Sequence, residues 1–467
     1  MQLVAYGAQD VYLSGNPQIT FFKVVYRRHT NFAMESIEQV FNGAADFGRK
    51  VTATISRNGD LIHKTYLRVE LPSVILPPGV SFRWLNWVGH ILIKSVEIEI
   101  GGQRIDKHYG DWLHIWNELT QTAGHQLGYA NLVGNLPALV NPRTNATSAS
   151  VTVPGEILYV PLEFWWCRNP GLALPLIALQ YHEVKINLEF NDVKNCYWSG
   201  IVAHDASGNV TTVTTDLTKV QVPSLSSASL FVDYIYLDTD ERRRFSQAAH
   251  EYLVEQLQFT GDESTSQTFN KIKLNFNHPC KELIWVVQPD DNVSDQAPWG
   301  KQWFNYTDNF DTTYNDSFIL NNSHVNTNGA SGIAAGGANG VYIPTNFDGG
   351  DNPTNLCKLQ LNGHDRFSER DGRYFSLVQP YQHHENVPTQ GINVYSFAIK
   401  PEEHQPSGTC NMSRIDNATL NLTLTHNTVY KASGSTETSR SAKVRVYAVN
   451  YNVLRIMSGM GGLAYSD

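Results

Sequence analysis

Charge is scarce in this chain. Of its 467 residues only 17% are Asp, Glu, Lys or Arg, against ~25% in ordinary soluble proteins, which excludes a disordered chain or a charge-laced coiled coil. Long apolar runs are also missing. The longest, residues 171–179, contains Pro175 and falls far short of the ~20 residues that cross a bilayer, so no transmembrane segment is expected. Residues 1–13 carry no basic stretch leading into an apolar one, and no secretory signal is expected. Lys and Arg number 35 against 44 Asp and Glu, a net charge of −9, the wrong balance for a protein that coats nucleic acid. The five cysteines (Cys167, Cys196, Cys280, Cys357, Cys410) lack zinc-knuckle spacing and read as free thiols in a reducing compartment.

Catalytic signatures are absent too. There is no Gly-x-Ser-x-Gly elbow and no P-loop. His182-Glu183 opens a strand-like string, whereas a zincin motif needs a helix to bring i and i+4 together. His383-His384-Glu385 reads as structural or exposed, lacking the converging ligands of a metal site. Glu97 and Glu99 alternate with Val96, Ile98 and Ile100 and read as the wet face of a strand, not a glycosidase pair. Gly459-Met460-Gly461-Gly462 reads as a flexible C-terminal turn. No catalytic, metal or cofactor-binding residue is assigned, and no enzyme is expected.

What the chain does have is alternation. Val51–Ile55, Val96–Ile100, Val184–Leu188 and Leu420–Leu424 each place apolar residues on one face at strand length. One helical pattern stands out: Trp112, Ile115, Trp116 and Leu119, with Asp111 as a candidate N-terminal cap, predicts a helix plugging one end of a β-structure. Six strings then recur in order: 38–43 with 255–261, 50–55 with 271–276, 66–72 with 283–289, 98–103 with 359–364, 186–188 with 420–422, and 232–243 with 444–455. A period above ~200 residues is a whole domain repeated, not a solenoid. Length alone leaves two or three domains open; the repeat decides for two.

The expected organisation is an arm at 1–25, a first domain at 26–238, a solvated linker at 239–249, a second domain at 250–456 and a tail at 457–467. Cys196 to Ser227 reads as a long irregular stretch. The second copy carries an insertion between Pro289 and Leu356, where Asn is concentrated: nine of 39 asparagines fall in residues 301–350. Nine Asn-x-Ser/Thr sequons occur, at Asn145, Asn209, Asn292, Asn305, Asn315, Asn321, Asn411, Asn417 and Asn421. Asn145, Asn209, Asn292, Asn305, Asn315 and Asn321 fall in expected loops and are the candidate sugar carriers.

Several long blocks then carry a family resemblance: QLVAYGAQDVYLSGNPQITFFKVVYRRHTNF (2–32), ISRNGDLI (55–62), EIEIGGQRIDKHYGDW (97–112), NPGLALPLIALQYHEVK (169–185), HEYLVEQLQFTG (250–261), QPSGTCNMSRIDNATL (405–420) and NYNVLRIMSGMGGLAY (450–465). In these the chain resembles the major capsid proteins of nucleocytoplasmic large DNA viruses, in the chlorella virus or phycodnavirus branch. The resemblance implies an all-β fold of two consecutive eight-stranded antiparallel jelly rolls with short helices in the loops. It implies homotrimers forming pseudo-hexagonal capsomers that tile an icosahedral shell, in the virion, after synthesis and assembly in the host cytoplasm. Implied partners are further copies, neighbouring capsomers, minor capsid proteins at the base and covalent glycans, with no direct nucleic acid and no cofactor. It places residues 292–346 on the exposed tower and both termini at the capsomer base. The competing readings are a minor capsid paralogue of the same fold and a tandem β-sandwich that binds or cleaves sugars.

Overall fold

The computed structural model describes residue 5 and residues 7–146, 148–204, 210–308, 351–433 and 436–465. Two sets of strands follow one another along the chain. The first comprises β1 (Phe32–Val40), β2 (Lys50–Thr54), β3 (Leu61–Glu70), β4 (Ile93–Ile100), β5 (Gln103–Tyr109), β6 (Ile157–Pro161), β7 (Val184–Phe190) and β8 (Ser227–Leu237). The second comprises β9 (His250–Thr265), β10 (Phe269–Leu274), β11 (Pro279–Pro289), β12 (Thr354–Leu361), β13 (His364–Asp365), β14 (Ile392–Ser396), β15 (Ala418–Leu424) and β16 (Ala442–Met457). The first set pairs as β1-β8-β3-β6 and β2-β7-β4-β5; the second pairs as β9-β16-β11-β14 and β10-β15-β12-β13. Adding eight to each label converts one pair of sheets into the other. This is the jelly-roll strand order, twice.

Period-2 burial builds each roll. In β7, Val184, Ile186, Leu188 and Phe190 are buried while the residues between them are half-buried, and in β15 Ala418, Leu420, Leu422 and Leu424 do the same. β4 keeps Ile98 and Ile100 inside. Its outward Glu97 lies 3.0 Å from Lys107, which fits the wet-face reading.

β11 departs from this rule. Leu283, Trp285 and Val287 enter the second roll's core, while Ile284 and Val286 join the core cluster of the first roll. A strand covered on both faces reads as an unbroken apolar run. The string match 66–72 with 283–289 is therefore one residue out: it sets Leu67, which faces its own core, against Ile284. Without alternation nothing in the sequence pins the register.

The connections hold more order than the sequence suggested. Helix α1 spans Gly110–Thr120. Residues 196–227, expected to be irregular, contain Tyr197–His204 and Val210–Thr215, which join Ser81–Trp84 and Arg143–Thr144 in a further sheet. Between the rolls lies α2 (Thr239–Gln247), whose cap Asp238 accepts from the Glu241 N–H at 3.0 Å. It is exposed yet anchored, with Arg242 3.0 Å from Asp60 and Phe245 against Leu61 and Ile235, so it is not a free linker. In the second roll a π turn at Tyr374–Val378 runs into α3 (Gln379–His383).

The Gly-rich end is no flexible turn either. Met460–Leu463 forms β17, paired with the end of β16. A Cβ at Gly459 would sit 2.6 Å from the Tyr181 ring, and one at Gly461 2.6 Å from Leu179 Cδ2. Small residues there let two backbones approach.

Candidate assembly interface

Helix α1 carries Trp112, Leu113, His114, Ile115, Trp116, Asn117 and Leu119, all buried. A helix apolar all round is enclosed on all sides. One side packs into the first roll and the other meets the outer face of the β9-β16-β11-β14 sheet. Trp112 lies 5.5 Å from the Tyr447 ring, and Tyr447 stacks on Phe259 at 4.8 Å. Asp111 does not cap the helix; the cap position is Tyr109. It lies in the first turn, 3.0 Å from Arg445, whose guanidinium also meets Asp262 at 3.0 Å and Gln288 Oε1 at 3.1 Å. The plug therefore lies between two rolls rather than at a free end.

Further along α1, Glu118 accepts from the Thr389 N–H of the second roll at 3.4 Å. Burial pushes its carboxyl up to about 7. The Asn386 N–H donates to Leu119 O at 3.0 Å. Arg168 lies over the Trp116 ring at 4.0 Å and reaches Glu255 at 2.7 Å; Lys281, fully buried, meets the same carboxylate at 2.8 Å. Beside them His384 bridges Glu282 at 2.9 Å and Glu402 at 2.8 Å. Burial alone would lower its pKa, but the two carboxylates overcome that and hold it at about 9. Of the two readings open for that pair, structural or exposed, His384 takes the structural one. Among the described residues no group of His, Cys, Asp and Glu could hold a metal ion.

The segment after β11 corrects the tower expectation over its described part. Trp299 packs on Trp198 at 5.0 Å, Lys301 donates to Asn195 Oδ1 at 2.6 Å and the Trp303 indole donates to Asn195 O at 2.9 Å. Residues 292–308 therefore close over the first roll. Asn292 and Asn305 are fully buried, and Asn292 Nδ2 donates to Asn305 O at 3.1 Å. Asn145 is buried too, its Nδ2 donating to Leu76 O and Ala149 O at 2.8 Å. An amide nitrogen so enclosed has no room for a sugar in the folded chain, so these three are placed against their role as carriers. Asn209, Asn315 and Asn321 lie outside the described residues. The five cysteines are free, four of them buried.

Sequence reasoning missed one match, GDWLHIW (110–116) with GRYFSLV (372–378). Its signal was available, since its offset of 262 is one more than that of the neighbouring string 98–103. In both copies the glycine abuts the first residue of an equivalent strand. A Cβ at Gly110 would collide with Ile93 O of β4, and one at Gly372 with Thr354 O of β12.

Beyond the junction, residues 7–31 run clear of both rolls, with Tyr12, Phe21, Phe22 and Tyr26 exposed. Such an arm offers apolar and aromatic surface that its own chain leaves uncovered.

Comparison with known proteins covers the whole of this architecture. Residues 20–238 match the family described as major capsid protein N-terminus, and residues 241–462 match large eukaryotic DNA virus major capsid protein. The major capsid protein of Phaeocystis pouchetii virus is 55% identical, over 100% of this chain and 99% of its own. That of Paramecium bursaria Chlorella virus 1 is 43% identical with the same coverage. The structure of the PBCV-1 virus capsid superposes with a TM-score of 0.69 at 37% identity, covering 96% of this chain and 100% of that one. A double jelly roll fused through a buried helix, similar along its entire length to these proteins, places this chain in the family of major capsid proteins of large eukaryotic DNA viruses.

Proposed function

We propose that this chain is the principal shell subunit of a large DNA virus, with three copies joining into a pseudo-hexagonal capsomer and capsomers tiling an icosahedral capsid. The observation that carries this reading is end-to-end similarity to major capsid proteins, with both rolls and the buried helix between them included. The subunit does no chemistry. Residues 26–238 and 250–456 act as the two rolls, and 239–249 joins them. The arm at 1–25 and the tail at 457–467 meet neighbouring capsomers and minor capsid proteins at the base. Assembly takes place in the host cytoplasm and the product resides in the virion. The acidic balance suits a shell that leaves the genome untouched. Protein-composition analysis of purified virions tests this reading and separates it from a minor paralogue. The chain is expected as the most abundant virion protein, and a trace amount would contradict the role.

A further inference from the structure

Of the five cysteines, two stand directly opposite one another. Cys410 and Asn411 form a short strand that pairs antiparallel with the start of β11, in the register Cys280–Cys410 and Pro279–Asn411. The Met412 N–H donates to His278 O at 3.0 Å and carries the pairing one step further. Opposed residues of an antiparallel ladder share a face, with Cα atoms ~4.5–5.5 Å apart, inside the ~4.4–6.8 Å that a disulfide spans. The other three cysteines have no such neighbour. Cys357 faces Arg370 on one side and Leu422 on the other, and Cys167 and Cys196 lie outside the strands.

A bulge turns the first thiol onto the shared face. Leu283, Trp285 and Val287 point into the second roll's core, so strict alternation would aim Cys280 the other way, with Ile284. Lys281 is an extra residue against β16, where Cys280 pairs with Asn450 and Glu282 with Val449. It shifts the alternation by one, and Cys280 joins the second roll's core cluster. Cys410 packs against the same cluster and is only half-buried. The pair thus has one sealed member and one within reach of solvent.

Their surroundings set an order of reaction. Partial burial raises the Cys410 pKa, and Arg366 nearby works against that rise. Cys280 is fully enclosed, its thiol donating to Glu282 O at 3.1 Å, and burial pushes it well up. The half-buried thiol therefore meets an oxidant first and the enclosed one resolves the product.

We propose that Cys280 and Cys410 are an oxidisable dithiol, converted to an internal disulfide by a small-molecule disulfide such as oxidised glutathione. The Cys410 thiolate attacks one sulfur of that molecule, breaks its S–S bond and expels one small thiolate, which takes up the proton Cys410 released. Cys280 then releases its own proton and attacks Cys410 Sγ, expelling the second small thiolate, which takes that proton. The two cysteines lose two electrons in all, and the small disulfide gains them. The new bond pins a loop that serves the roll junction. Residues 397–409 leave the β11 edge where the Phe397 N–H donates to Lys281 O at 2.8 Å, and return to it at Cys410. Between these points Pro401 O accepts from Lys281 Nζ at 2.5 Å, and Glu402 meets His384 at 2.8 Å. The pairing is a property of the single chain and stands whether or not the chain assembles.

The test uses the full-length protein, purified reduced and then incubated with oxidised glutathione. Thiol alkylation and peptide mass spectrometry without reductant read the result. The parent is expected to lose two of its five free thiols, to yield one linked peptide pair joining Cys280 to Cys410, and to regain both thiols in dithiothreitol. Cys280→Ala is expected to retain one glutathione on Cys410, and Cys410→Ala to keep all its remaining thiols free. Circular dichroism checks the fold of each variant; should Cys280→Ala unfold, Cys410→Ala at the half-buried position carries the comparison. A parent that keeps all five thiols, holds glutathione on Cys410 without an internal bond, or links either cysteine elsewhere would overturn the proposal. So would a Cys410→Ala variant that loses thiols as the parent does.

Discussion

His384 stands between Glu282 and Glu402, with Lys281, Glu255 and Arg168 nearby, so a positive ring is held where burial alone would strip its proton. Its folded pKa of about 9 lies above the unfolded 6.5. Its contribution to stability is therefore complete below about pH 6.5 and is lost as pH rises through about 9. Glu118 has the same sign from a different cause. Burial raises it from 4.5 to about 7 and favours the neutral acid, so its contribution fades as pH rises through 7. Below about pH 6.5 the buried His90 and His114, whose pKa values burial lowers, act in the opposite sense, so the net fall in stability is expected from pH 7 to pH 10, on the order of a few kcal/mol, seen as a lower melting temperature. His384→Gln should flatten that fall, and Glu118→Gln should make stability rise more steeply with pH below 7. Calorimetry across pH checks both, and an unchanged slope in either variant would contradict the assignment. Peptide mass spectrometry checks another residue-scale expectation: Asn145, Asn292 and Asn305 should be unmodified, whatever the occupancy elsewhere.

Among the elements, α1 does the most to hold the rolls together. Trp112→Ala removes a fully buried ring at the junction and is expected to cost ~3–5 kcal/mol, visible as an earlier midpoint in denaturant. Arg445→Ala strands Asp111 and Asp262 and should cost about as much. Gly461→Val drives a side chain into Leu179 and should loosen β17 from the first roll, raising proteolytic cleavage of the last residues.

Legibility in the sequence followed the number of covered faces. β7 and β15 have one dry and one wet face and were plain from alternation. β11 is dry on both sides, and its register was not recoverable. The helical spacing of Trp112, Ile115, Trp116 and Leu119 was legible, but its partner Tyr447 was not, because nothing local marks a contact 335 positions away. The Asn-rich stretch read as a loop throughout; its first part is in fact buried by Trp299, Phe304 and Tyr306, aromatics that a loop on an outer surface would not hide.

At the scale of the molecule, the low charge that first set this chain apart fits a body with few free faces. The first roll's core cluster runs on across the junction onto the second roll, so β11, β14 and β16 are dry on both sides. The central claim is that such bodies associate with further copies of themselves. Light scattering of the purified full-length chain measures this directly. The account predicts a stable particle near ~157 kDa, three times the 52.4 kDa chain, with the large interfaces typical of obligate assemblies. A species that stays at 52.4 kDa across micromolar concentrations would contradict it.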